Sequence, residues 1–165
     1  MQPGSQHRIN RRAFSLIEII IVVSVLSILA AIVLPRIAGA KEKANAVAAG
    51  QSMMAIAQAA EHYYATHGEW PADRNRRQIP PELVPYLPTE SFTNAPLNGV
   101  WDFDVWLGQS YTAGGDKLGV CISIVEGDPS LYEAVDREID DGDLTTGTIR
   151  YCESSPRLVY VLRFQ

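Results

Sequence analysis

The sequence predicts an α+β protein: a long N-terminal helical spine, with a membrane-length apolar half and an amphipathic half, packed on a C-terminal antiparallel sheet of about four strands. Three observations predict it. Phe14 to Leu34 form a nearly pure apolar run of membrane length, helical periodicity resumes beyond that run, and four short period-2 runs follow residue 100. At 165 residues the chain fits one domain of about 100 to 150 residues plus an N-terminal appendage. The expected segments are a basic leader at 1–13, a transmembrane helix segment at 14–35 and its amphipathic continuation at 36–67. A proline-rich connection at 68–99 and the sheet region at 100–165 complete the chain.

Residues 14–34 read FSLIEIIIVVSVLSILAAIVL, and at 1.5 Å per residue a helix of this length is about 31 Å long, enough for a hydrocarbon core. Arg8, Arg11 and Arg12 precede it, leaving eleven Lys and Arg against nineteen Asp and Glu in the rest of the chain. Arginines directly before an apolar span belong on the cytoplasmic side. The expected topology is therefore a single pass through the inner membrane, with the N-terminus cytoplasmic and the acidic C-terminal part periplasmic or extracellular. That acidic balance argues against a nucleic-acid surface. A cleaved secretory signal is the rival reading, because Ala38-Gly39-Ala40 has the A-x-A form. Against it, the apolar run exceeds the usual 7 to 15 residues of a signal core, and Glu18 interrupts its start.

A carboxylate inside a membrane helix costs at least about 2.5 to 3.5 kcal/mol on insertion scales unless it is paired or protonated. Glu18 therefore needs either the headgroup region or a partner. Its surroundings, RRAFSLIEIIIVVSVLSILAAIVLP, closely resemble the class III signal of type IV prepilins and type II secretion pseudopilins: a short basic leader, a small residue at the cut, Phe, and a Glu four residues on. The resemblance implies cleavage between Ala13 and Phe14 by prepilin peptidase, N-methylation of Phe14, and an assembly role for Glu18. Ala13 departs from the family's usual glycine, though it is still small. The partners implied are other copies of the chain in a filament, other pseudopilins or pilins, prepilin peptidase, an inner-membrane assembly platform and membrane lipid.

Pro35 removes a backbone donor, so the spine is expected to kink or loosen there, or to end its membrane helix. Ala49, Met53, Ile56, Ala60 and Tyr63 recur at helical spacing and form one apolar stripe suited to docking on a sheet. Gly68 stops the helix, and Glu69-Trp70-Pro71 extends the chain. The Tyr-Tyr…Gly-x-Trp-Pro run resembles pseudopilins at this junction. Arg74, Arg76 and Arg77 make a small basic cluster in the connection, read as a solvated loop or as a contact for an acidic neighbour or lipid headgroup.

Trp101, Phe103, Val105 and Leu107 alternate with Asp102, Asp104 and Trp106, the pattern of a strand with one buried face. Similar runs occur at LGVCISIV, TGTIRYC and RLVYVLRF. Asp128-Pro129 opens a short helix with Leu131, Val135 and Ile139 on one face, capped by Gly142. Cys121 and Cys152 fall in predicted strands, and in a compartment outside the membrane they make a candidate disulfide; two buried free thiols is the alternative.

Residues 136–143, DREIDDGD, cluster acids near a loop, and Asp140, Asp141 and Asp143 are the candidate Ca²⁺ ligands against the plainer reading of a solvated, helix-capping turn. Some major pseudopilins bind calcium in a loop of the sheet region, although their ligands do not match this loop residue by residue, and EF-hand spacing is missing. No other cofactor is expected. An enzyme is not expected either, since no Ser/His/Asp, Cys/His or zinc constellation is visible and residues 71–165 contain no histidine. The leading function is a structural filament subunit, a pseudopilin of a type II secretion system. The alternative is a pilin or minor pilin acting as a tethered binding module for a surface, a substrate or DNA.

Overall fold

A computed structural model describes residues 15–87, 92 and 95–165, and the chain divides into two compact units, Met1–Gly39 and Ala40–Gln165. Helix α1 (Leu16–His67) is continuous through Pro35. One missing donor does not break a ladder of this length, so the helix does not end at the proline. In the first unit every described residue of α1 is exposed, apolar side chains included.

In the second unit α1 turns one face inward. Ala46, Ala49, Met53, Ile56, Ala57 and Ala60 are buried, with Tyr63 packed at the rim, and they include the stripe expected from spacing. Glycine 68, at φ +77°, ends the helix in the left-handed conformation that glycine adopts without penalty. A 3₁₀ turn at Pro81–Leu83 buries Leu83 in the same core.

Among the described residues the sheet has five strands where about four are expected: β1 (Val100–Val105), β2 (Thr112–Ala113), β3 (Asp116–Val125), β4 (Ile149–Cys152) and β5 (Arg157–Phe164). β2 is only two residues long and has no period-2 signature. All pairings are antiparallel: β1 lies on one side of β3, β5 on the other, and β4 flanks β5. β2 pairs with the start of β3 and touches β4 through Ala113 and Cys152, so that corner of the sheet curls.

Alternation sends Trp101, Phe103, Val120, Ile122, Ile124, Ile149 and Leu158 to the face covered by α1. The opposite face has its own smaller core of Trp106, Ala113, Leu118, Cys121, Cys152, Val159 and Val161. Leu118 and Val120 are two apart yet belong to different cores. The register irregularity between them, at Gly119, resets the alternation. A side chain at Gly119 would press on the Arg163 carbonyl at 2.8 Å, which explains glycine at the bulge.

The expectation that β1 has one buried and one solvated face is therefore corrected. Asp102, Asp104 and Trp106 are buried, whereas Leu107 lies beyond the strand and is 48% exposed. Arg157 accounts for the burial of the two acids: its Nη1 donates to Asp102 at 3.2 Å and to Asp104 at 3.1 Å. Ser123 donates to Asp104, and the Trp106 ring lies 5.2 Å from the Arg157 guanidinium. Two carboxylates share one buried cation, with Arg76 a more distant 3.8 Å from Asp102. Burial, and then repulsion from Asp104, push Asp102 up to about 6 against the opposing pull of Arg157 and Arg76.

A carboxyl group raised on folding favours the native state while protonated. Its contribution is full below the unfolded value of about 3.9 and is lost as pH rises through the folded one. The melting temperature of the detergent-solubilised chain should therefore fall between about pH 4 and 7. Asp102→Asn should flatten that fall. An unchanged slope in the variant would assign the titration to another group.

Candidate functional site

Polar groups inside the apolar half of α1 are few, and most are satisfied within the helix. Ser24 donates to the Ile20 carbonyl and Ser27 to that of Val23, each at 2.7 Å. Glu18 differs. It lies in the first helical turn, where a carboxylate is favoured by the helix dipole, and its side chain has no hydrogen-bond or ion-pair partner among the described residues. Ala13 and Phe14, the expected cleavage and methylation positions, lie outside the described residues.

The acidic loop is positioned by contacts on both sides of α2. Asp128 accepts from the Ser130 backbone at 3.0 Å and starts a 3₁₀ turn (Pro129–Leu131) that leads into α2 (Tyr132–Ile139). Ile139 then fills a notch on α1 where Gly50 has no side chain; a Cβ at Gly50 would overlap the Ile139 tip. Lys43 on α1 pairs with Glu138 at 2.9 Å. Beyond α2, the Asp140 carboxylate accepts from the backbone N–H groups of Thr148 and Ile149 and so ties the loop to β4.

Asp136, Asp140 and Asp141 converge, with one oxygen of each within 4.8 Å of the others. Of the three candidate ligands read from the sequence, Asp140 and Asp141 are in this group. Asp143 instead accepts from the Thr145 backbone and hydroxyl, bonds that hold its carboxyl below the usual range. Asp136 takes its place. The acidic run in the sequence includes Asp136, but only the turn after Ile139 brings Asp140 and Asp141 back to it.

Asp136 is fully buried, and neither of its oxygens has a hydrogen bond of normal geometry. Burial, then repulsion from Asp141, Asp140 and Asp143, push it up to about 6; the Gly142 backbone N–H offsets only part of this. The site is short of positive charge. Calcium takes six to eight oxygens. Both Asp141 oxygens already accept hydrogen bonds, from Asp143 N and Thr146 Oγ1, and Asp140 Oδ2 accepts two. The cluster suits a cation, but its carboxylates alone do not make a calcium shell.

Cys121 and Cys152 are free thiols, both fully buried in the outer-face core. The expected bridge between them is not formed in this structure. β5 runs between their strands, with Cys121 opposite Val161 and Cys152 opposite Arg157. Burial pushes the Cys121 thiol well above its ordinary value, so it has little thiolate character.

Two comparisons with known proteins match this chain. Residues 8–34 match the family model described as the prokaryotic N-terminal methylation motif. Over 107 residues the chain is 27% identical to the type II secretion system core protein G of Klebsiella michiganensis, a match covering 61% of this chain and 75% of that protein. No solved structure matches. Both findings support the type IV pilin-like resemblance seen in the sequence.

The thiols are directly countable. Alkylation of the denatured, unreduced protein should label both cysteines by intact mass. A species that accepts label only after reduction would restore the bridge.

Proposed function

We propose that this type IV pilin-like chain is the structural subunit of a filament, a pseudopilin of a type II secretion system, polymerising through its N-terminal helix. The observation that carries the proposal is the apolar half of α1: its side chains are exposed from Leu16 to Ile37, and Glu18 is left without a partner among the described residues. Lipid can cover the apolar surface, but it offers nothing to the carboxylate. A neighbouring subunit can cover both.

Cleavage between Ala13 and Phe14 would create an amine at Phe14, a cation suited to the Glu18 carboxylate of the next copy. At an effective dielectric of about 20, unit charges 4 Å apart attract by roughly 4 kcal/mol, comparable with the cost of burying the carboxylate. Processing thereby acts as an assembly switch, since the uncut leader has no amine at that position. Prepilin peptidase, other pseudopilins and an inner-membrane platform are the partners in this reading, which gives the chain a structural rather than an enzymatic role. The basic leader would lie in the cytoplasm and the unit from Ala40 to Gln165 in the periplasm. Calcium, if bound, would need oxygens beyond the carboxylates of Asp136, Asp140 and Asp141, and assembly as proposed does not depend on it.

N-terminal sequencing of the membrane-extracted protein should read from Phe14, and replacing Ala13 with a bulky residue should leave the leader attached. A start at Lys41 would establish an ordinary signal peptide instead.

Glu18→Leu removes a membrane carboxylate, so the variant should insert at least as well as the parent, and the Ala40–Gln165 unit should melt unchanged. Filament yield should nevertheless fall sharply. Glu18→Gln separates charge from hydrogen bonding, and loss of filaments with normal cleavage favours the ion pair. Wild-type filament yield from a normally cleaved Glu18→Leu protein would sink the pairing model.

A further inference from the structure

The β1 edge of the sheet, and the length of β4 that β2 leaves unpaired on the far side, are each covered by a loop, and the loops have opposite charge. On β1, Arg77 N–H donates to the Trp101 carbonyl at 2.9 Å, and Val105 N–H donates to the Asp73 carboxylate at 3.0 Å. On β4, Tyr151 N–H donates to the Leu144 carbonyl at 2.9 Å, and Asp140 accepts from Thr148 and Ile149. Residues 73–77 therefore form a strap on one edge, and residues 140–144 form one on the other. Straps of this kind stop open edges from recruiting strands.

The β1 strap is basic. Arg76 is committed to Glu126 at 2.9 Å, while Arg74 and Arg77 are exposed and have no ion-pair partner among the described residues. Arg77 is held at φ +66°, a conformation unusual for a non-glycine residue. The β4 strap is acidic. Exposed Asp141 and Asp143 stand beside Asp140, over the buried and unpartnered Asp136.

We infer that the arginine strap on the β1 edge of one copy docks against the Asp136–Asp143 loop on the β4 edge of the next. This rests on the filament reading and assigns it a lateral contact. A guanidinium lying across Asp140 and Asp141 brings to the cluster the positive charge that Asp136 lacks, and its planar fork can donate to two carboxylates at once. Because the two patches lie on opposite edges of one sheet, the contact is head to tail and propagates instead of closing into a dimer.

The test uses the full chain in membranes. With Arg77→Cys and Asp141→Cys on one chain, a short bis-thiol cross-linker should give a ladder of trimers and higher species, while the parent chain, whose native thiols are buried, gives none. Dimers from Arg77→Cys alone would mean a two-fold contact and overturn the proposal. Sedimentable assemblies without a ladder would overturn it and leave the filament reading standing; no sedimentable assemblies at all would end both. Charge reversal gives an independent arm. Arg74→Glu/Arg77→Glu chains and Asp141→Arg/Asp143→Arg chains should each assemble poorly alone, and co-expression should restore assembly. Failure of that rescue, or loss of the parent's assembly on calcium chelation alone, would assign the acidic loop to a metal or to the fold of its own chain.

Discussion

The apolar surface of α1 from Leu16 to Ile37 is exposed among the described residues, and what covers it is the constraint that the proposed assembly answers. A water-soluble monomer would expose far more contiguous apolar area than such proteins tolerate. Ser24 and Ser27 turn their hydroxyls back onto the helix and add no demand for a partner. Glu18 adds one, because hydrocarbon covers leucine and isoleucine but leaves a carboxylate unsatisfied. Under the proposed assembly, this single charged residue separates a helix that only anchors from one that also assembles.

The second half of the same helix solves a different problem. Its small residues, Ala46, Ala49, Gly50, Ala57 and Ala60, bring the backbone close to the sheet and to α2. Gly50 admits Ile139, and that contact, with the Lys43–Glu138 pair, places the acidic loop beside β4. The sheet is covered on its other face by residues that a single-layer reading assigns to solvent. Buried Asp102 and Asp104 are tolerated there because Arg157 and Ser123 reach them from neighbouring strands. A carboxylate taken from water without such partners would cost several kcal/mol.

Burial leaves charge imbalance at two places. Around Arg157 one cation serves two acids, and around Asp136 no cation is supplied by the described residues at all. The first is closed inside the outer-face core. The second sits beneath an exposed loop at the edge of the sheet, where an outside cation can act on it. The difference between them is access, and access is set by which strand the acids adjoin.

Several features were legible in the sequence because they depend on local order alone. The membrane-length run, the methylation motif matched at residues 8–34, the stripe from Ala49 to Ala60, the short helix after Pro129 and the four longer strands are all patterns of neighbours at fixed spacing. Tertiary structure decided what depends on residues far apart in the chain. The two cysteines lie in strands, as read, but β5 enters between them after both strands have been laid down. Asp102 and Asp104 look like a solvated face until Arg157, more than fifty residues later, arrives opposite them. Asp136 looks like an ordinary helical acid until the turn after Ile139 brings Asp140 and Asp141 back toward it, while Asp143 is claimed by Thr145. Local spacing determined which segments form. Strand order, and the long-range pairing that comes with it, decided which of their charges were left without a partner.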